Sequence, residues 1–117
     1  MKDFDQFQHY IDVINIKIKQ TGEQSLTSKE YNFFYTQYAL AVIDNGGLIS
    51  LKQNTIFTEK ELSAVIECLN DIDCEEYSNI IKTAINTEDE TTLDELDSKF
   101  YTLGSDFVFD KLLEYII

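Results

Sequence analysis

The chain contains no proline. Proline removes a backbone donor and clashes with the preceding helical turn, so 117 residues without one leave helix as the default element wherever apolar residues recur at three and four. Arginine is missing too: nine lysines face 22 acidic residues, for a formal net charge of −13. A field of that sign repels nucleic acid and anionic membranes, and no direct contact with either is expected. No apolar run approaches the ~20 residues of a membrane span, and the opening MKDFDQFQHY lacks the charged-then-apolar order of a secretory signal. A cytoplasmic protein is expected. Cysteine is scarce: Cys68 and Cys74 stand alone, without a Cys-x-x-Cys pair or a nearby histidine, and read as buried free thiols rather than zinc ligands or a disulfide. The one histidine, His9, has Asp5 and Asp12 at helical spacing but no Glu-x-x-His partner, so it reads as an exposed surface residue and not a di-iron ligand.

What is present is a core. Apolar residues make up 44% of the chain and aromatics 13%, well above the composition at which charged chains stay disordered. One all-α domain over residues 1–117 is expected, a compact bundle of about five to seven helices. Phe4, Phe7, Ile11, Ile14 and Ile18 step 3-4-3-4 along a first helix of about residues 3–19. Three segments then carry the capping box with its hydrophobic staple: Thr27 with Glu30, Thr58 with Glu61, and Asp73 with Glu76. They predict helix starts near 28, 59 and 74. The second helix, about 28–44, sets Tyr31, Phe34, Tyr35, Tyr38, Ala41 and Val42 on one face. It runs into Asn45, Gly46 and Gly47, where a left-handed residue is needed to stop it. No Lys-Ser or Lys-Thr follows those glycines and no strand precedes them, so the turn redirects the chain and does not cradle phosphate. A short helix through LISLKQ follows. A final helical region from about Thr92 draws its buried positions from Leu93, Leu96, Phe100, Leu103, Phe107, Leu112, Leu113 and Ile116, with Gly104 a point of division.

Charge divides the chain unevenly. Residues 1–58 hold six acids and five lysines, a net of −1; residues 59–117 hold sixteen acids and four lysines, a net of −12. Ordinary solubility asks for a net charge of about 2 to 8 with both signs interspersed. The excess collects in two rows: Glu88, Asp89, Glu90, Asp94, Glu95 and Asp97, and Asp71, Asp73, Glu75 and Glu76. On helices rising 1.5 Å per residue, acids at every two to four positions fall ~3–6 Å apart, comparable with the ~3.4 Å between phosphates along one DNA strand. Such rows imitate a phosphate backbone and attract basic protein surfaces. The acidic loop DIDCEE lacks the central glycine of a calcium site, and no paired carboxylates, nucleophile or ligand cluster points to catalysis, metal or cofactor.

Two stretches carry a resemblance. LTSKEYNFFYTQYALAVIDNGGL ends a helix on Asn45-Gly46-Gly47, and LDELDSKFYTLGSDFVFDKLLEYI sets Leu93, Asp94, Leu96, Asp97, Phe100, Tyr101 and Leu103 ahead of Leu112, Leu113, Tyr115 and Ile116. Over about residues 26–116 the chain resembles a bacterial all-helical family whose best-described type is a dimeric DNA mimic. The segment after the glycines departs from it: Leu48, Ile49, Ser50, Leu51 and Lys52 stand where relatives continue with Gly-Phe, a glutamine and aromatics. The resemblance implies an all-helical fold, a homodimer, and occupation of a DNA-binding protein's site. The expected function is therefore a non-enzymatic acidic protein that occupies a basic partner, a DNA-binding regulator, through the two rows. An immunity protein neutralising a basic toxin is the rival reading, and a small-ligand or enzymatic module around Tyr31, Tyr35, Tyr38 and Tyr101 is another.

Overall fold

The structure, a computed structural model, describes residues 3–53 and 56–117. Six helices make an all-α bundle: α1 (Phe4–Thr21), α2 (Ser28–Gly46), α3 (Glu59–Asp71), α4 (Glu75–Asn86), α5 (Glu90–Leu103) and α6 (Asp106–Ile116), with short 3-10 turns at Glu23–Ser25 and Leu48–Leu51 and no strand among the described residues. α2 is central and packs against α1, α3 and α6, while α4 lies between α3 and α5. Phe33, Leu40 and Ile43 of α2, Val65 and Leu69 of α3, Ile81 of α4, Phe100 of α5 and Leu112 of α6 meet in one core.

Two of the three capping boxes form as read. Thr27 Oγ1 accepts from the Glu30 amide at 3.1 Å while Glu30 Oε1 accepts from the Thr27 amide at 2.9 Å, and Thr58 and Glu61 repeat the exchange at 3.1 and 3.0 Å. The third does not form. Cys74, not Asp73, caps α4, because Asp73 is already used to end α3. It takes a left-handed φ of 61°, its amide donates to Asn70 and the Cys74 amide reaches back to Leu69, the paired bonds of a Schellman stop. An N-cap takes a negative φ, as Cys74 does at −116°, and one residue cannot serve both ends.

Three further expectations are corrected. At the Asn-Gly-Gly turn, Asn45 and Gly46 stay helical and Gly47 alone adopts positive φ, 79°. On α2 the fully buried row is Phe33, Thr36, Leu40 and Ile43, with Tyr35 and Ala39 buried beside it; of the expected face Tyr35 is buried, Tyr31, Phe34 and Val42 are partly so, and Tyr38 and Ala41 are exposed. That helix is apolar on most of its circumference, and Thr36 in the middle of the true row hid its 3-4-3 step. Phe4 is 60% exposed at the start of α1 and Phe107 51% exposed in α6. Gly104 resets the register, so α6 buries Val108, Leu112 and Leu113 instead of continuing the phase of α5.

Candidate partner-binding interface

Nine of the ten acidic residues singled out in the sequence are exposed, and Asp97 is partly buried. Asp71 ends α3, Asp73 sits in the α3–α4 turn, and Glu75 and Glu76 occupy the first turn of α4. Glu88 and Asp89 lie between α4 and α5; Glu90, Asp94, Glu95 and Asp97 belong to α5. The two rows start from opposite ends of α4, and α5, which carries most of the second, runs back along α4 until the Tyr77 hydroxyl donates to the Leu103 carbonyl. Between them the outward stripe of α4 is Asn79, Lys82, Thr83 and Asn86, which is uncharged but for one lysine. Several of the acids also serve their helices: Glu75, Glu76 and Glu90 meet the positive ends of helix dipoles. Asp89 caps α5 and accepts from Thr92 Oγ1 at 2.6 Å, a bond that holds its carboxyl below the ordinary carboxylate range.

Neutralisation by the protein's own cations is slight. Among the described residues only Glu88 of the ten meets a lysine, Lys52 at 3.4 Å; the Lys52 ammonium also donates to the Thr87 carbonyl. The other ion pairs, Lys17 with Glu30 and Lys111 with Glu114, lie outside the rows. Asp97 turns inward: its Oδ1 accepts from the Leu48 amide at 2.8 Å and its carboxylate packs against Gly47. The Gly-Gly turn is thus tied to α5, and that carboxylate positions the chain more than it faces outward.

Apolar floors inside the acidic rows escaped the sequence reading. Asp73, Glu75 and Glu76 rim a cleft of about 300 Å³ whose floor includes Tyr77, Leu103 and Phe107. Glu90, Asp94 and Asp97 rim a second, of about 270 Å³, floored by Ile49 and Leu93. In sequence Phe107 falls among the expected core positions and Ile49 in the segment after the glycines, and neither is within one turn of its carboxylates. Asp71, Glu88, Asp89 and Glu95 line neither cleft.

The larger groove, about 810 Å³, runs between the start of α2 and α3 and includes Glu23, Tyr31, Asn32, Lys60 and Glu67. Behind Tyr31, Tyr35 packs against it with ring centroids 4.7 Å apart and planes tilted by 49°, and Tyr35 donates to Glu23 at 2.7 Å. Tyr38 instead packs on Phe57, and Tyr101 is 58% exposed on α5, so the four tyrosines do not converge. His9 is exposed. Cys68 and Cys74 are buried and free, with burial pushing each thiol up to about 11. No three His, Cys, Asp or Glu side chains gather to hold a metal ion among the described residues, and none of the described helices is long and apolar enough to cross a membrane.

A small all-α bundle with exposed carboxylates along α3 to α5, largely unmatched by its own lysines, defines a class of acidic helical protein. The chain belongs to the DMP19-like protein family, whose model matches residues 24–117, from the turn before α2 through α6. Neither a curated protein nor a solved structure matches the chain.

Proposed function

We propose that the protein is a non-enzymatic acidic binding protein that occupies the nucleic-acid-binding surface of a basic partner, as a DNA mimic. The observation that carries this reading is the exposure of Asp71, Asp73, Glu75, Glu76, Glu88, Asp89, Glu90, Asp94 and Glu95 with one lysine contact among them. Membership of a DNA-mimic type of family supports it. Lysines and arginines of a DNA-binding regulator, or of a toxin acting on nucleic acid, exchange their counterions for these carboxylates, so binding is fast at low salt and weakens steeply as salt rises. A homodimer, as in the family's described type, would place four rows on one particle.

The test is capture from host lysate at low salt, run with the natural chain and with Glu90→Gln, Asp94→Asn and Glu95→Gln combined, followed by elution with duplex DNA. Asp97 is left intact because it holds Leu48. Basic nucleic-acid-binding proteins should be retained by the natural chain, lost from the amide variant and displaced by DNA. Retention of the same proteins by both chains, or indifference to DNA, rejects the proposal. A second reading, a small-ligand module, is favoured by the 810 Å³ groove beside Tyr31, a size usual for ligand pockets.

A further inference from the structure

Resting on the reading above, the geometry points to a more specific recognition: we propose that the two clefts are paired sockets for long basic side chains of one partner, each taking an alkyl stem on its apolar floor and a cationic head at its rim. The two clefts are alike in size, about 300 and 270 Å³, and in build. Carboxylates line both, Asp73, Glu75 and Glu76 in one and Glu90 and Asp94 in the other, with the inward-turned Asp97 beside them. Each also leaves a large apolar side chain open, Phe107 at 51% and Ile49 at 40% exposed.

Lysine and arginine are the side chains with both parts, three or four methylenes that cover apolar surface and a charged end that stays with acid or water. The charge of the rims selects them over any neutral or acidic occupant. The molecule already contains one such contact: Lys111 Nζ lies over the Phe107 ring, 5.6 Å from its centroid, so that ring accepts a cation. The backbone beneath these carboxylates is fixed: Glu75 and Glu76 stand in the first turn of α4, Asp73 in the left-handed stop of α3, and Asp97 accepts from the Leu48 amide.

The spacing follows from α5, which contributes Leu93 to one floor and Leu103 to the other. Ten residues of helix separate them along that axis, about 15 Å at 1.5 Å per residue. The fitting partner therefore presents two basic side chains at about that separation. Phosphate imitation alone asks only for charge at the right density; the sockets additionally ask for stem length.

Calorimetric titration with three acetylated, amidated peptides tests this: one with a single arginine, one with two arginines joined by four prolines, and the same pair with each arginine replaced by 2,3-diaminopropionic acid, a cation with almost no stem. Five rises of about 3.1 Å set the two arginines roughly 15 Å apart. The two-arginine peptide should bind at least tenfold more tightly than the single one, by effective concentration, and about fivefold or more above its short-stem counterpart. Ile49→Ser and Phe107→Ser should each remove most of that stem preference, while Tyr101→Ser, an exposed aromatic in neither cleft, should not. Circular dichroism confirms that each variant folds, as expected for exposed positions. Binding that needs the rim carboxylates but ignores stem length and floor substitutions overturns the sockets and leaves phosphate mimicry standing. Equal affinity of the one- and two-arginine peptides, per arginine, overturns the pairing. If none of the peptides binds at low salt, the electrostatic reading itself falls along with the sockets.

Discussion

At the scale of single residues, Asp97 and Gly47 form a unit. The carboxylate satisfies the Leu48 amide at 2.8 Å, a backbone donor at a buried residue, and a Cβ on Gly47 would stand 3.1 Å from Asp97 Oδ2. A hydrogen bond to a charged group is worth about 1.5–3 kcal/mol, so Asp97→Ala should cost about 2 kcal/mol in urea denaturation and Asp97→Asn, which keeps an acceptor, less. Gly47 and Gly104 share a positive φ with extended ψ, 79° and 176° for one and 77° and 154° for the other, a region essentially confined to glycine that costs a residue with a Cβ about 1–3 kcal/mol. Nothing lies within 4 Å of a Cβ at Gly104. Gly47→Ala should therefore destabilise more than Gly104→Ala, and the excess should vanish in an Asp97→Ala background; equal costs in both backgrounds would show that the carboxylate contact is idle. Tyr31 gives the opposite sign. Its hydroxyl is buried with no hydrogen-bond partner among the described residues, and burial raises its pKa. Deleting an unsatisfied polar group removes a desolvation cost, so Tyr31→Phe should leave stability unchanged or raise it by about 1 kcal/mol. A loss beyond that would mean the hydroxyl has a partner after all.

Among the elements, the start of α2 combines a cap with a tertiary tie. Glu30 closes the capping box on Thr27 and takes the Lys17 ammonium of α1 at 2.7 Å, and it is chiefly the Lys17 bond that holds its carboxyl below the ordinary 4.5. A lowered carboxyl contributes stability that is present above its unfolded pKa and is lost as pH falls through the folded one. The contribution of this pair, about 0.5–1 kcal/mol for a partly exposed contact, should fade as pH drops below 4.5. Glu30→Gln should be less stable than the natural chain at pH 7 and converge with it as pH falls through the lowered folded-state pKa in thermal melts; a constant offset would assign the effect to the cap alone. These starts were legible in the sequence because a capping box is local, with both bonds inside four residues. The Asp73 start was not, since the stop of α3 and the start of α4 compete within three residues and the winner depends on where Leu69 and Asn70 place their carbonyls. The α2 face failed for a different reason: where apolar residues surround a helix, periodicity has no phase, and only the neighbours α1, α3 and α6 decide which row is buried. Acid rows were legible as composition. The clefts inside them were not, since Ile49 reaches Asp94, and Phe107 reaches Glu76, only through the packing of α5 against its neighbours.

For the whole molecule, charge acts on folding and on binding in opposite directions. A net charge of −13, with most of it on α3 to α6, opposes the compact state through self-repulsion, and what offsets it is the shared apolar core centred on α2. Added salt screens that repulsion, shrinking the reach of each charge from ~30 Å at 0.01 M to ~10 Å at 0.1 M and ~3 Å at 1 M. It equally screens attraction for a basic partner. Raising sodium chloride from 0.01 to 0.3 M should therefore raise the melting temperature, by about 5 °C if the relief is near 1 kcal/mol, while partner affinity falls over the same interval. Neutralising Glu75, Glu76, Glu90 and Asp94 as amides should flatten both trends together. Measuring both quantities in one series separates this account from its nearest competitor: if the acids were balanced by bound cations or by the protein's own lysines, salt would break favourable contacts, and the melting temperature would fall or stay level. A stabilising slope for folding paired with a weakening slope for binding requires carboxylates that stand unmatched in the free protein and are matched only by the partner.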